Sequence, residues 1–240
     1  MVRKNYVTPV VDSPVIIFFA AVSAAVFLLD ALFFKGSLVE KAFVCRGAKA
    51  AVPFDFSSPM DYIRILTCCF GCLSWDSFFT SLIFILLLGP ALEEKYGSAM
   101  LALMFFITSL VGGVLTASLS SFNLTGPFGI IFMLIILAAL SAFMKGQVPV
   151  SWIFIFVLYL SLEFYKNSPE QSAGFSEFLQ SKIPVFIHLA SGICGSLFGF
   201  FVAPKNRAPR KKAEKKTSQT GSNGTASGSS DETVIGNIIV

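Results

Sequence analysis

The chain is 240 residues long, 55% hydrophobic and only 13% charged, with 27 Phe, one His and a formal net charge of +4. Soluble domains carry about 25% charged residues, and here the apolar residues fall in runs of roughly 20, the length that crosses a hydrocarbon core of about 30 Å. The composition argues against a soluble globular protein and for a polytopic membrane protein. A lone His cannot build a His-rich metal site, and no metal, cofactor or nucleic-acid partner is expected.

The chain opens with a short, basic, polar segment, residues 1–13, predicted to be cytoplasmic. A first span follows at 14–34. It is longer than a signal-peptide core and no small-x-small cleavage site follows at once, so it reads as a retained helix. Residues 35–64 are of mixed polarity, with Phe43, Phe54, Phe56, Met60 and Tyr62 among charges of both signs. A loop that dips into the membrane interface has this pattern, and so has a solvated connector.

Spans two and three are expected at 74–92 and 99–119. Between them the stretch from Gly89 to Ser98, with Pro90, Glu93, Glu94 and Lys95, reads as a charged turn that sets the two helices antiparallel. The polar loop 120–125 leads to Gly126-Pro127-Phe128-Gly129, where Pro127 fits a first helical turn because its missing N–H costs nothing there. Spans four to six are placed at 126–144, 149–165 and 183–203, the last two separated by a polar loop over 166–182. The predicted fold is all-α, a six-transmembrane-helix bundle over residues 14–203.

Residues 204–240 form a basic and then Ser/Thr/Gly-rich tail, expected to be disordered. Lys205, Arg207, Arg210, Lys211 and Lys212 can bind anionic lipid at the membrane surface or simply set topology. The apolar end, Thr233 to Val240, reads as a strand that adds to a partner's sheet edge or as a protease tag. With both termini cytoplasmic, the larger share of the 18 Lys and Arg lies inside, as membrane topology favours.

Cys45, Cys68, Cys69, Cys72 and Cys194 are odd in number and sit mostly in or beside apolar segments, where free Cys behaves as a small hydrophobe. Cys69-Phe70-Gly71-Cys72 matches C-x-x-C, but no thioredoxin-like βαβ pattern surrounds it.

Three motifs fall in order on these spans. Glu93-x-x-x-Gly97-Ser98 closes the second, Arg64 precedes it, and His188-Leu-Ala-Ser-Gly-Ile-Cys-Gly195 lies in the sixth, with Gly192, Gly195 and Gly199 as small positions. Together they resemble the rhomboid family of intramembrane serine proteases, from about Ile63 to Gly199. Arg64 matches the Arg of the family's Trp-Arg pair, with Ile63 in place of the Trp. The resemblance sets Gly126-Pro127-Phe128-Gly129 on the family's G-x-S-G, so Phe128 stands at the nucleophile position and Gly126 and Gly129 flank it. It sets His188 on the general base, and Ser77 and Ser81 on the His and Asn that help to stabilise the oxyanion.

A phenyl ring has neither a lone pair to attack with nor a proton to yield, and a base without a nucleophile is not a dyad. In soluble serine proteases, loss of the nucleophile costs roughly 10⁶-fold in kcat, and loss of an oxyanion donor about 10²–10³. The resemblance therefore implies an inactive pseudoprotease that captures transmembrane segments of client proteins between the second and fifth spans. No catalytic set is intact; His188 is expected to be hydrogen-bonded inside the bundle, and Glu93 to tie a loop to backbone donors.

The alternative is an active protease with a nonstandard nucleophile. Ser191, three residues after His188, and Ser118, Ser120, Ser121 and Thr125 before the fourth span are the hydroxyls to weigh. Transport needs ionisable groups near the midplane, and only His188 lies deep in a span. A bacterial inner or plasma membrane is expected, with the endoplasmic reticulum as the other location.

Overall fold

The computed structural model describes residues 13–144, 146, 150–166 and 175–202, without the side chains of 175–179. Eight α-helices lie within them: α1 (Pro14–Leu29), α2 (Ser37–Ala42), α3 (Pro59–Thr67), α4 (Trp75–Tyr96), α5 (Ser98–Leu119), α6 (Phe128–Phe143), α7 (Val150–Lys166) and α8 (Phe175–Val202). The fold is a helical, polytopic bundle. Among the described residues four segments are long and apolar enough to cross a membrane: Pro14–Phe34, Trp75–Tyr96, Ser98–Leu119 and Gln180–Val202. The tail with Lys205, Arg207, Arg210, Lys211 and Lys212, and the first twelve residues, lie outside the described residues.

The centre of the bundle is α6. Ile131, Phe132, Met133, Leu134, Ile135 and Leu137 are fully buried, as expected for a helix that is apolar all round. Around it stand α4, α5, α7 and α8. At 16 residues α6 is about 24 Å long, shorter than its lipid-facing neighbours.

Glycines set how closely the helices approach. A Cβ built on Gly192 would lie 2.7 Å from Cβ of Phe132, and one on Gly199 2.2 Å from Cε of Met104. At Gly195 it would overlap the hydroxyl of Thr108. This small face draws α8 onto α5 and α6 together, the packing that small residues permit between membrane helices.

Two expectations about boundaries are corrected. Gly89 and Pro90 do not turn the chain, because α4 continues through them to Tyr96. Gly89 serves close approach: an added Cβ would meet Ile16 Cδ1 at 2.4 Å, so α1 presses on the bare Cα. Pro90 forfeits one hydrogen bond, which packed membrane helices tolerate. The turn shrinks to Gly97, at φ +86°, which ends α4 and starts α5. Ser98 is the first residue of α5.

The polar loop expected over 166–182 is also shorter, since α8 begins at Phe175 and runs through Pro184. Its polar first turns misled the reading. Lys182 is buried there, and its ammonium donates to the Phe164 carbonyl oxygen at 2.6 Å.

The segment after α1 is built rather than loose. A π-helical turn, Asp30–Phe34, ends α1, and Lys35 and Gly36 at positive φ reverse the chain. Asp30 accepts from the Leu38 amide at 2.8 Å, in the first turn of α2. Farther on, Arg64 donates Nε to the Lys41 carbonyl at 2.9 Å and pairs through Nη1 with the fully buried Asp61. Asp61 also accepts from the Asp55 amide at 3.0 Å and faces Arg46 Nη1 at 3.6 Å. Arg64 and Asp61 thus hold both halves of the segment against α3.

Candidate functional site

The entry to α6 is positioned from the first loop. Cys45 and Leu124 exchange two backbone hydrogen bonds, of 2.9 and 2.8 Å, and the Gly126 amide donates to the Cys68 carbonyl at 3.0 Å. Gly126 adopts φ +104°, and a Cβ there would lie 2.6 Å from the Phe128 ring, so conformation and space both demand glycine. Pro127 caps α6, and Phe128 is its first residue.

Phe128 and His188 meet edge to face, their ring centroids 5.3 Å apart. His188 is buried, and its imidazole also lines the adjoining cavity. The group opposite the imidazole is a hydrocarbon edge, the Phe128 ring. Aromatic contact of this kind is favourable, but it moves no proton.

Beside the two rings lies a cavity of about 20 Å³, lined by Cys69, Thr108, Ser109, Gly129, His188 and Ser191 among others. That is room for about one water, and far below the several hundred Å³ of an ordinary ligand pocket.

Each hydroxyl on this cavity is held by main chain. Ser191 Oγ donates to the carbonyl of His188, on its own helix, at 2.9 Å. Thr108 Oγ1 donates to Met104 O at 2.8 Å, and Ser109 Oγ to Ile65 O and Leu66 O at 3.3 and 3.2 Å. Ser191 also packs on Gly129, where an added Cβ would lie 2.5 Å from its oxygen. Ser120 Oγ donates to Phe122 O at 2.7 Å, and the exposed Ser118 to Val114 O at 2.8 Å.

The thiols are no more available. Cys69 Sγ points to Leu66 O at 3.2 Å, and burial pushes its thiol, like that of Cys72, up to about 12. Neither is a thiolate near neutral pH, the form that attacks or binds metal.

The serines of α4 do not join this site. Ser77 lies in the first turn of α4, where its amide and hydroxyl both bond Ser74 Oγ, at 3.2 and 2.9 Å. Ser81 is buried with no hydrogen bond to its hydroxyl among the described residues, as is Ser23 of α1. Both line a second small cavity, of about 10 Å³, with Phe19, Cys72, Phe78 and Pro127. Pro127 lies between the two cavities, lining each of them.

Glu93 lies at the other end of α4. Its two carboxylate oxygens accept from the amides of Val15 and Ile16, each at 3.0 Å. A buried carboxylate here caps the first turn of α1, where amides lack partners and the helix dipole favours negative charge.

The structure thus brings Phe128, His188, Gly129, Ser191 and Gly192 to one place, and sets Glu93, Arg64, Ser77 and Ser81 apart from it. Thr108, Ser109 and Asp61 were missed by the sequence reading. Asp61 had a signal, since it precedes Arg64 by three residues on an amphipathic helix. Ser109 and Thr108 had none, because a polar residue in an apolar span does not disclose which neighbour it faces.

A bundle of membrane-length helices around one buried apolar helix, with a histidine of the last helix facing the start of that central one, defines the class. The model of the Rhomboid domain matches residues 59–205, and the chain belongs to the rhomboid family. No curated protein matches it.

Proposed function

We propose that this protein is a proteolytically inactive rhomboid that binds transmembrane segments of client membrane proteins without cutting them. The observation that carries the reading is the Phe128 ring against His188 beside a cavity with room for about one water. An acyl-transfer site needs a nucleophile on the base and donors around the developing oxyanion. Here the base meets a phenyl edge, and the surrounding hydroxyls are spent on carbonyls.

Client entry is assigned to the seam between α4 and α7, the route that family membership suggests. The outward face of α7 carries Phe154, Val157, Leu158 and Tyr165, all exposed and fit to meet another helix in lipid. The working location is a bacterial inner or plasma membrane, with six spans and both termini cytoplasmic. The lipid bilayer is the second partner.

The test is cleavage of a model transmembrane substrate by the purified protein, alongside His188→Ala and Phe128→Ser. No product is expected from the natural chain. Product that disappears in His188→Ala overturns the reading and turns the search for a nucleophile to Ser191 and the loop before Gly126. Phe128→Ser alone is expected to stay inactive, because Ser77 and Ser81 lie away from the His188 cavity. Photo-crosslinking from Leu158 should then recover defined helical partners; random membrane proteins in their place would remove support for capture.

A further inference from the structure

The buried hydroxyls of the spans divide into two kinds. Those of Thr108, Thr116, Ser191 and Ser196 each donate to a carbonyl one turn back on their own helix, at 2.8 or 2.9 Å. Serine and threonine inside a helix have this bond always within reach. Ser23 of α1 and Ser81 of α4 do not take it. Both hydroxyl oxygens are buried with no hydrogen bond among the described residues, and both side chains line the small cavity between the two helices.

Two hydroxyls turned away from their own helices toward one space need a group between them. Most of the wall cannot serve, since Phe19, Phe78, Leu82 and Ile85 are hydrocarbon. Bulk water does not reach the core of a bilayer to take their place. The Cys72 thiol lies beside Ser81 on the same cavity, but a thiol is a weak partner. At about 10 Å³ the cavity has about the least room that takes one water, and a buried water makes about two to four hydrogen bonds. Ser23, Ser81 and Cys72 offer it three polar groups.

We infer that this cavity is a binding site for one structural water, held between Ser23 of α1 and Ser81 of α4. The water donates to one hydroxyl and accepts from the other, so each oxygen gains the partner that its own helix does not give it. Its second proton is left for the Cys72 sulfur. The site joins a helix that precedes the Rhomboid match at residues 59–205 to one that lies within it. It also gives Ser81 an occupation. The residue that the resemblance sets on the oxyanion side lines the cavity shared with α1, across Pro127 from the cavity of His188.

The experiment is a crystal structure of the full-length protein grown from a lipid mesophase, with thermal unfolding of Ser23→Ala, Ser81→Ala and the double variant in lipid nanodiscs. One ordered peak of density is expected about 2.5–3.0 Å from both hydroxyl oxygens. A cavity without density, or two hydroxyls bonded directly to each other, overturns the site. Each single variant strands the hydroxyl that remains, and its Tm should fall by about 2–8 °C. The double variant strands neither, so its loss should not exceed the larger single one. A dry cavity reverses the sign, because deleting a partnerless hydroxyl from an apolar setting stabilises. A Tm that rises or holds in either single variant, or losses that add in the double, overturns the water as well.

Discussion

Glu93 does the work of two caps, because one carboxylate spans two successive amides of another helix. Glu93→Gln keeps one acceptor and loses the charge, so thermal unfolding in detergent should fall by about 1–3 kcal/mol; Glu93→Ala should fall further. Arg64 is a second residue whose loss reaches beyond itself. Arg64→Ala strands the buried Asp61 with only Arg46, at 3.6 Å, for a counter-charge. Breaking a buried pair costs about 3–5 kcal/mol, and limited proteolysis between residues 46 and 58 should quicken; an unchanged digest would show that the segment does not depend on it. Both residues were visible in the sequence as motif members. Asp61, three residues before Arg64, was within reach of the same reading, but the partners of Glu93 were not, because it reaches amides 78 and 77 positions away, and backbone donors carry no signature in side-chain identity.

At the scale of elements, hydrophobic runs disclosed the helices well, and polarity misplaced their ends. Gly89-Pro90 and the stretch before Ile183 both read as breaks because Gly, Pro and Lys usually are. In the fold each is paid for by a neighbour: Ile16 fills the space over Gly89, and Phe164 O accepts a hydrogen bond from Lys182. The glycines divide in the same way. An alanine Cβ at Gly112 would find its nearest neighbour at 3.4 Å, and one at Gly195 would collide with Thr108. Gly112→Ala is therefore expected to be neutral in thermal unfolding, while Gly195→Ala should lose about 1–3 kcal/mol by overpacking. Equal losses at both would mean that α8 is not seated on α5 as described.

The whole molecule is a membrane protein by composition and by fold, and it should stay in the pellet after alkaline carbonate extraction. Its five cysteines offer a global readout of packing. Cys194 is exposed and Cys45, Cys68, Cys69 and Cys72 are buried, so a lipid-soluble maleimide should add once to the folded protein and five times after denaturation. The family was legible in the order of three motifs. The site was legible in part, since Phe128 and His188 declared themselves, whereas the size of the cavity and the spent hydroxyls depend on how four helices meet. The capping of α1 by Glu93 also has a consequence in time. The chain is made from its N-terminus, and the carboxylate follows Val15 by 78 residues; at about 5–20 residues per second, that is a wait of roughly 4–16 s. During biogenesis the first helix therefore enters the bilayer with its opening amides uncapped, and a nascent chain that stalls before residue 93 presents an unfinished end to the cell's quality control.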